Sequence, residues 1–270
     1  MKLAAPFALD NVKNDERIDE FNIVFKESNS FEKLIDFLEM FPDKRVNIMF
    51  TDYSPTAYQF KMLNAAHENV YVAFSELILM SDFSTVRQTG TKFYTINPIS
   101  SWSELAYWTQ QGISEFYPAG DLLHEMDALK HYCQEHNLKT RMIVNCIAES
   151  VNPVQDVFFR PQDFDLVDSY FDTVEFICNA LPFDARQYNW NVFNVLYKAW
   201  FVKKHWIGAL NQINSDVEFT LPCETIPDRF FSKKLNCGFM CMKGRKCNSC
   251  ALYIEMAETL ADKGVRIVSK

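Results

Sequence analysis

The strongest constraint on the fold is a recurring unit, in which a short run of β-branched and aromatic residues precedes an amphipathic helical pattern. Eight such runs occur, and the first six begin 21 to 26 residues apart. A strand, a helix and two short loops need about that many residues. The runs begin at residues 21, 45, 69, 92, 113, 139, 172 and 217. This alternation predicts parallel strands connected by helices.

The helical segments between the runs carry start and stop signals. Ser101 and Glu104 have the spacing of a capping box, and Gly112 follows the last position of the same helical pattern. Pro55 is expected at the first position of another helix. Ser30 can cap a third helix, whose apolar residues recur on one face. We therefore expect well-defined helices between the strands.

Eight strands that alternate with helices predict a (β/α)8 barrel of the TIM type. An open, doubly wound sheet is the main rival. The barrel is preferred because no Gly-rich phosphate-binding fingerprint follows any run. Two further runs, 2–7 and 265–269, are either extra strands or replacements for a weaker member of the eight.

Composition favours one domain that spans residues 1–270. Hydrophobic residues make up 48% and aromatic residues 15% of the chain, and no Gly/Ser-rich or Pro-rich linker divides it. The net charge of −8 argues against a surface that coats nucleic acid generally. The sequence has no apolar run long enough to span a membrane, and its N-terminal apolar stretch ends at Asp10, too early for a signal peptide. We expect a cytoplasmic protein, in which clustered cysteines are ligands rather than disulfides.

Polar residues at strand ends are the first candidates for a substrate site, because barrel active sites form at the C-terminal ends of the strands. Asn97, Asn145 and Asn179 end three predicted strands and would direct three amides to one mouth. Asparagine is also a common helix cap, so an ordinary loop role stays open. Arg160 precedes a predicted helix, where it could bind a carboxylate substrate or form a surface ion pair.

A second candidate site is the cysteine-rich segment 223–250, which is expected near the C-terminal face of the strands. Four of the eight cysteines lie within fourteen residues, in the spacing C-x3-C-x5-C-x2-C: Cys237, Cys241, Cys247 and Cys250. Basic residues between them would lower the thiol pKa values and offset thiolate charge: Lys243, Arg245 and Lys246. The pattern predicts a four-cysteine centre, with Cys223 as a substitute ligand. The residues leave zinc and an iron–sulfur cluster open.

Three stretches carry a resemblance to the peptidase U32 family. "MKLAAPF" is similar to the opening strand of that family, "GISEFYPAGDLLHEMDALKHYCQEHNLKTRMIVNC" resembles its middle barrel units, and "LNCGFMCMKGRKCNSC" resembles its cysteine-rich, Gly-Arg-containing segment. Members contain a barrel and are implicated in RNA hydroxylation, in accessory roles in quinone hydroxylation with a four-iron cluster, and nominally in collagen peptidase activity. The resemblance implies a short, divergent member with a [4Fe–4S] cluster on Cys237, Cys241, Cys247 and Cys250. The usual C-x-x-P-C ending reads Cys-Asn-Ser-Cys here.

Three classes of function follow. The first is an enzyme or redox accessory in which the cluster assists hydroxylation of RNA or a small aromatic precursor, and Arg245 tunes the cluster or holds an anion. The second is a non-catalytic barrel with structural zinc that binds nucleic acid or a partner protein. Six positive charges in segment 229–246 would suit RNA or an anionic small molecule, or would compensate the thiolates. A peptidase is third, because no G-x-S-x-G or H-E-x-x-H motif occurs.

Overall fold

Eight parallel strands form a closed barrel in chain order. The computed structural model describes residues 1–74, 83–95, 97–145, 168–177, 190, 193–194, 197, 217–219 and 267–269. Strand β8 pairs in parallel with β1, which closes the barrel. The strands are β1 (Lys2–Phe7), β2 (Glu20–Phe25), β3 (Arg45–Phe50), β4 (Val70–Phe74), β5 (Lys92–Thr95), β6 (Ile113–Phe116), β7 (Lys139–Asn145) and β8 (Thr173–Ile177).

Helices follow most of these strands, as the sequence predicts. The described α-helices are α1 (Phe31–Met40), α2 (Ala57–Ala66), α3 (Phe83–Arg87), α4 (Trp102–Gln111) and α5 (Met126–His136), and a 3-10 helix spans Gly120–His124. Within this part of the chain, no helix is long and apolar enough to cross a membrane. The cytoplasmic location stays a prediction.

The barrel was predicted correctly, but one of its eight strands was not. The run at residue 217 forms β9 (Val217–Phe219), which pairs antiparallel with β10 (Ile267–Ser269) outside the barrel. Its place is taken by β1, the run that the sequence allowed as a replacement. The periodicity missed β1 because residues 8–19, which connect it to β2, contain turns but no helix. The single-domain prediction for 1–270 stays a prediction.

The helix ends largely match their sequence signals. The Ser101 hydroxyl accepts a hydrogen bond from the Glu104 amide at 3.3 Å, and Gly112 ends α4 with a φ of 84°. The return bond of the predicted capping box differs, because the Glu104 carboxylate accepts from the Ser100 amide instead. Pro55 was expected at the first helical position, but α2 begins at Ala57 with Thr56 as its N-cap, so Pro55 lies two residues before the helix.

The two faces of the barrel strands differ in chemistry. Outward-facing phenylalanines pack under the helices: Phe21 lies 6.2 Å from Phe37 of α1, and Phe50 lies 6.3 Å from Phe60 of α2, between ring centroids. Beyond β8, Trp190 stacks on Phe7 of β1 at 4.7 Å. Each fully buried side chain of this size contributes roughly 2–3 kcal/mol. The alternate positions of the same strands therefore point into the barrel.

Candidate functional site

The barrel interior contains a buried network of charged side chains. Three carboxylates and two guanidinium groups from five strands take part, and none is more than 6% exposed: Glu20, Arg45, Glu115, Arg141 and Glu175. Isolated buried charges are costly, so the network exists only because each charge is paired. The charges sum to −1.

Arg141 is the centre of this network. Its Nη1 atom lies 2.7 Å from Glu20 Oε2 and 2.9 Å from Glu115 Oε2, and its Nη2 atom lies 3.5 Å from Glu175 Oε2. Burial disfavours its charged form, but the carboxylates of Glu20, Glu175 and Glu115 outweigh that effect and hold the pKa of Arg141 well above its usual value. One guanidinium group thus joins β2, β6 and β8 to β7.

Arg45 forms the second cationic point. Its Nη1 atom pairs with Glu115, and its Nε atom donates to Asn47 Oδ1 at 2.7 Å. The guanidinium carbon lies 3.4 Å from the ring centroid of Tyr71, a cation–π contact. Among the described residues, the Nη2 atom of Arg45 has no hydrogen-bond partner. Arg45 is therefore held by charge on one side and by an aromatic ring on another.

Glu20 is ionised at neutral pH. Burial raises the pKa of its carboxyl group, but Arg141 and Arg45 outweigh burial and lower that pKa to about 2. Asn47 also donates to Glu20 Oε2 at 3.1 Å. The carboxylate accepts several charge-assisted hydrogen bonds, which is the condition that permits ionisation in a dry interior.

Tyr117 links the network to the C-terminal end of the barrel, because it directly follows β6. Its hydroxyl group donates to Glu175 Oε2 at 2.5 Å and accepts from Arg141 Nε at 3.2 Å. Burial and the Glu175 carboxylate raise the pKa of Tyr117 well above its usual value. Burial likewise raises the pKa of Tyr94, whose ring centroid lies 5.4 Å from the Arg141 guanidinium carbon. Both tyrosines stay protonated and can act only as hydrogen-bond donors or acceptors.

The network forms a floor beneath the C-terminal mouth, in which every charged group is paired and Arg45 Nη2 is the charged-group atom that lacks a hydrogen-bond partner among the described residues. Its carboxylates are engaged by arginines, and its tyrosines do not ionise near neutral pH. No group of three or more His, Cys, Asp or Glu side chains in the described ranges is arranged to hold a metal ion. This floor can orient a neighbouring group, but it offers no vacant ligand set.

The predicted substrate residues fall into two groups. Asn97 follows β5 at the expected end of the barrel and is exposed, and Asn145 is the last residue of β7. Asn179 and Arg160 lie outside the described residues. The convergence of the three asparagines therefore stays a prediction.

The predicted metal ligands, Cys223, Cys237, Cys241, Cys247 and Cys250, lie outside the described residues, as does Arg245. Their expected position at the mouth was argued from a barrel strand at residue 217. Because β9 lies outside the barrel, that argument no longer holds. The ligand assignment itself depends on spacing and stays a prediction.

Cys133 is a different kind of cysteine. It lies on the inner face of α5 and is 6% exposed. Burial and the nearby Asp172 raise the pKa of its thiol to about 12. A protonated, buried thiol is neither a good nucleophile nor a good ligand.

The interior network was missed because its residues look like the solvent face of a half-buried strand. β2 reads EFNIVF and β3 reads RVNIMF, with polar residues at alternate positions. In an open antiparallel sheet, that pattern places polar residues in water. In a closed barrel whose outer face is covered by helices, the same positions can only face inward. The charged residues inside the predicted barrel strands were the sequence signal that could have indicated this interior network.

Comparison with known proteins identifies no family for this chain. No protein-family model and no curated protein matches it. Solved structures that resemble it include tryptophan synthase from M. tuberculosis (9% identity, TM-score 0.44, 65% of this chain and 81% of that chain). Another is tryptophan synthase subunit alpha from Legionella pneumophila str. Paris (11% identity, TM-score 0.43, 77% of this chain and 87% of that chain). A third is a protein from Aquifex aeolicus VF5 (12% identity, TM-score 0.48, 73% of this chain and 91% of that chain). These weak similarities carry no functional argument, and the barrel follows from the chain's own strand pairing. The resemblance to U32 proteins stays a prediction.

Proposed function

We propose that this barrel protein binds a [4Fe–4S] cluster through Cys237, Cys241, Cys247 and Cys250. The observation that carries the proposal is the sequence itself: four thiols in fourteen residues, interleaved with basic side chains. Four thiolates are the usual ligands of such a cluster, and nearby cations offset their negative charge. A short loop can also converge on one centre at little entropic cost.

The spacing favours a cluster over zinc. Both cysteine pairs have spacings that structural zinc accepts, but only five residues separate the pairs, fewer than is usual in zinc ribbons. Iron–sulfur clusters accept compact and uneven spacing. The resemblance to U32 proteins supports the same choice.

We further propose that the cluster serves the modification of RNA or of a small aromatic precursor. The U32 resemblance supports this reaction class, and the basic segment 229–246 could dock a phosphate backbone or another anion. In this proposal Asn97, Asn145 and Asn179 orient the substrate, with Arg160 and Arg245 available to bind its anionic groups. The cluster, when bound, would supply electron-transfer chemistry.

Anaerobic purification followed by metal and sulfide analysis tests the cluster. We expect a brown protein with about four irons and four sulfides per chain. Cys247→Ser should remove most of the iron, whereas Cys133→Ser should retain it because that thiol is buried and protonated. A colourless protein with one zinc would overturn the cluster, and iron retained in Cys247→Ser would overturn the ligand assignment.

The zinc alternative would make the protein a non-catalytic binder of nucleic acid or of a partner protein. The six positive charges of segment 229–246 favour this second function. Fluorescence anisotropy with a labelled single-stranded RNA tests the RNA contact. Lys233→Gln with Lys234→Gln removes two charges without touching the residues between the cysteines, and it should lower the salt dependence of log K by about 1.4. Lys61→Gln with Lys139→Gln, at two exposed lysines of the barrel, is the matched control. Equal binding by both double variants would contradict the RNA contact.

A further inference from the structure

The barrel interior is filled at the level of the charged network but open to solvent nearer the C-terminal ends of the strands. The last inward-facing residues of β2 and β3 are Val24 and Met49, and they are the only partly exposed residues of these two strands. One inward position deeper, Asn22 and Asn47 are 8% and 0% exposed. A recess therefore begins above the two asparagines, with Val24 and Met49 in its wall. We call it the mouth recess.

The wall of the mouth recess continues along β4, β5 and the end of β6. Ala73, Tyr94 and Tyr117 form a small hydrophobic cluster there, separate from the main core, and Met49 packs against it. Ala73 is the register partner of Tyr94, and its small side chain leaves volume beside the tyrosine ring. An eight-stranded barrel is wide enough to hold one small ligand. The recess therefore suits a single ring rather than a polymer.

Two buried side chains of the recess carry hydrogen-bond donors that no described residue accepts. Asn47 donates to Asn22 Oδ1 at 2.7 Å, which fixes the orientation of the Asn22 amide and leaves its Nδ2 group without an acceptor. Tyr94 is 5% exposed, and its hydroxyl group has no hydrogen-bond partner in the described part of the chain. Burial raises the pKa of Tyr94, so this group stays a donor. Unpaired buried donors are costly, and they favour a ligand that brings an acceptor.

The charges beneath the recess favour an uncharged acceptor. The network sums to −1, and its two cations, Arg45 and Arg141, are already paired with carboxylates. An anion in the recess would meet net negative charge and no unpaired cation of the described interior, so the cost of its desolvation would not be offset. A cation would meet two donors instead of acceptors. A neutral carbonyl oxygen accepts from both donors and leaves the charge of the interior unchanged.

We propose that the mouth recess binds a small uncharged molecule with one apolar ring and a carbonyl-type acceptor, which accepts from the Tyr94 hydroxyl group and the Asn22 amide. The flexible, polarisable thioether of Met49 suits contact with such a ring. The recess lies in the mouth where the proposed function places its substrate, so the inference rests on that function for the reaction but not for the binding. It selects the small aromatic precursor, rather than RNA, as the molecule that enters the barrel.

Saturation-transfer NMR titrations with three matched probes test the proposal. Acetophenone has a ring and a carbonyl group, toluene has the ring alone, and benzoate has the ring and an anionic acceptor. Each probe is added to the full chain after anaerobic purification, and again after treatment with a chelator. We expect acetophenone to bind with a Kd of about 1 mM or lower, as ligands of this size do in a well-formed site. Toluene should bind at least about threefold more weakly, because it lacks the hydrogen bond, and benzoate should also bind more weakly than acetophenone.

Tyr94→Phe removes the donor and keeps the ring. It should weaken acetophenone binding at least about threefold and leave toluene binding unchanged. Its midpoint in urea should not fall, because no protein group loses a partner. Tyr58→Phe is the matched control, since Tyr58 is 71% exposed on α2, and it should change none of these values.

Four results would overturn the site. They are equal affinity for acetophenone and toluene, benzoate binding as tight as acetophenone binding, unchanged acetophenone binding in Tyr94→Phe, and no binding of any probe. A recess that holds only ordered water gives the last result. None of these results depends on iron or zinc, so the recess and the cysteine centre can fail separately.

Discussion

Removing the central cation of the barrel interior should destabilise the fold in a pH-dependent way. Arg141→Met keeps a long apolar side chain but leaves three buried carboxylates with one arginine. The pKa of Glu20 is about 2 in the folded chain and 4.5 in its ordinary state, and at 1.36 kcal/mol per pH unit this difference corresponds to about 3 kcal/mol. Arg45 supplies part of that energy, but Arg141 also contacts Glu115 and Glu175. We expect a loss of about 3–5 kcal/mol at pH 7, the usual cost of breaking a buried pair.

The sign of the pH dependence should reverse in the variant. In the natural chain the folded pKa of Glu20 is depressed, so its contribution is complete above pH 4.5 and is lost as the pH falls toward 2. In Arg141→Met, burial without the main cation favours the protonated form of Glu20. The folded state then binds protons more readily than the unfolded state, and its stability rises as the pH falls from 7 to 5.

Urea unfolding at pH 7 and pH 5, followed by circular dichroism, measures both effects. The difference in free energy of unfolding between the natural chain and Arg141→Met should be smaller at pH 5 than at pH 7. Arg87→Met is the control, since Arg87 is an exposed arginine at the end of α3, and it should change stability by about 0.5 kcal/mol or less. A loss below about 1 kcal/mol in Arg141→Met, or a gap that widens at pH 5, would refute the reasoning.

Three further predictions test single features of the barrel. Tyr117→Phe should cost about 1–3 kcal/mol in urea unfolding, because Glu175 loses a buried hydrogen-bond donor; an unchanged midpoint would contradict that role. Cys133 should react with iodoacetamide at pH 8 at least tenfold more slowly in the native chain than in urea, because burial raises the pKa of its thiol to about 12. Mass spectrometry of the α5 peptide measures the two rates, and equal rates would disprove the prediction. Gly112→Ala should lower stability by about 1 kcal/mol in thermal unfolding, because Gly112 has a left-handed φ of 84°. A clash would not contribute, since the nearest atom to an added Cβ is 3.8 Å away. A neutral result would show that the backbone relaxes.

The sequence predicted the barrel because each strand and helix carries a local signal. Strand runs at regular spacing and the caps at Ser101 and Gly112 depend only on neighbouring residues. β1 was recognised only as a possible replacement, because the local signal of a following helix is absent from 8–19. What local patterns cannot supply is the choice of partners across the closed barrel. Glu20 and Arg141 are 121 residues apart, yet they form the 2.7 Å pair at the centre of the interior.

The position of β1 also explains why long charged side chains fit inside this barrel. An eight-stranded barrel is just wide enough for side chains to fill it. Ala4 of β1 is the register partner of both Glu20 on β2 and Glu175 on β8, and it is fully buried. Its small side chain leaves volume for the two neighbouring carboxylates and for Arg141, which contacts both. The strand with the weakest sequence signal thus closes the barrel and also leaves room for the central guanidinium group. Once β1 closes the barrel, the charged side chains at alternate positions of the other strands can point only into the interior. Helices cover the outside of the barrel, so these charged side chains must meet inside it and pair with one another. This geometry explains why strands far apart in sequence carry opposite charges.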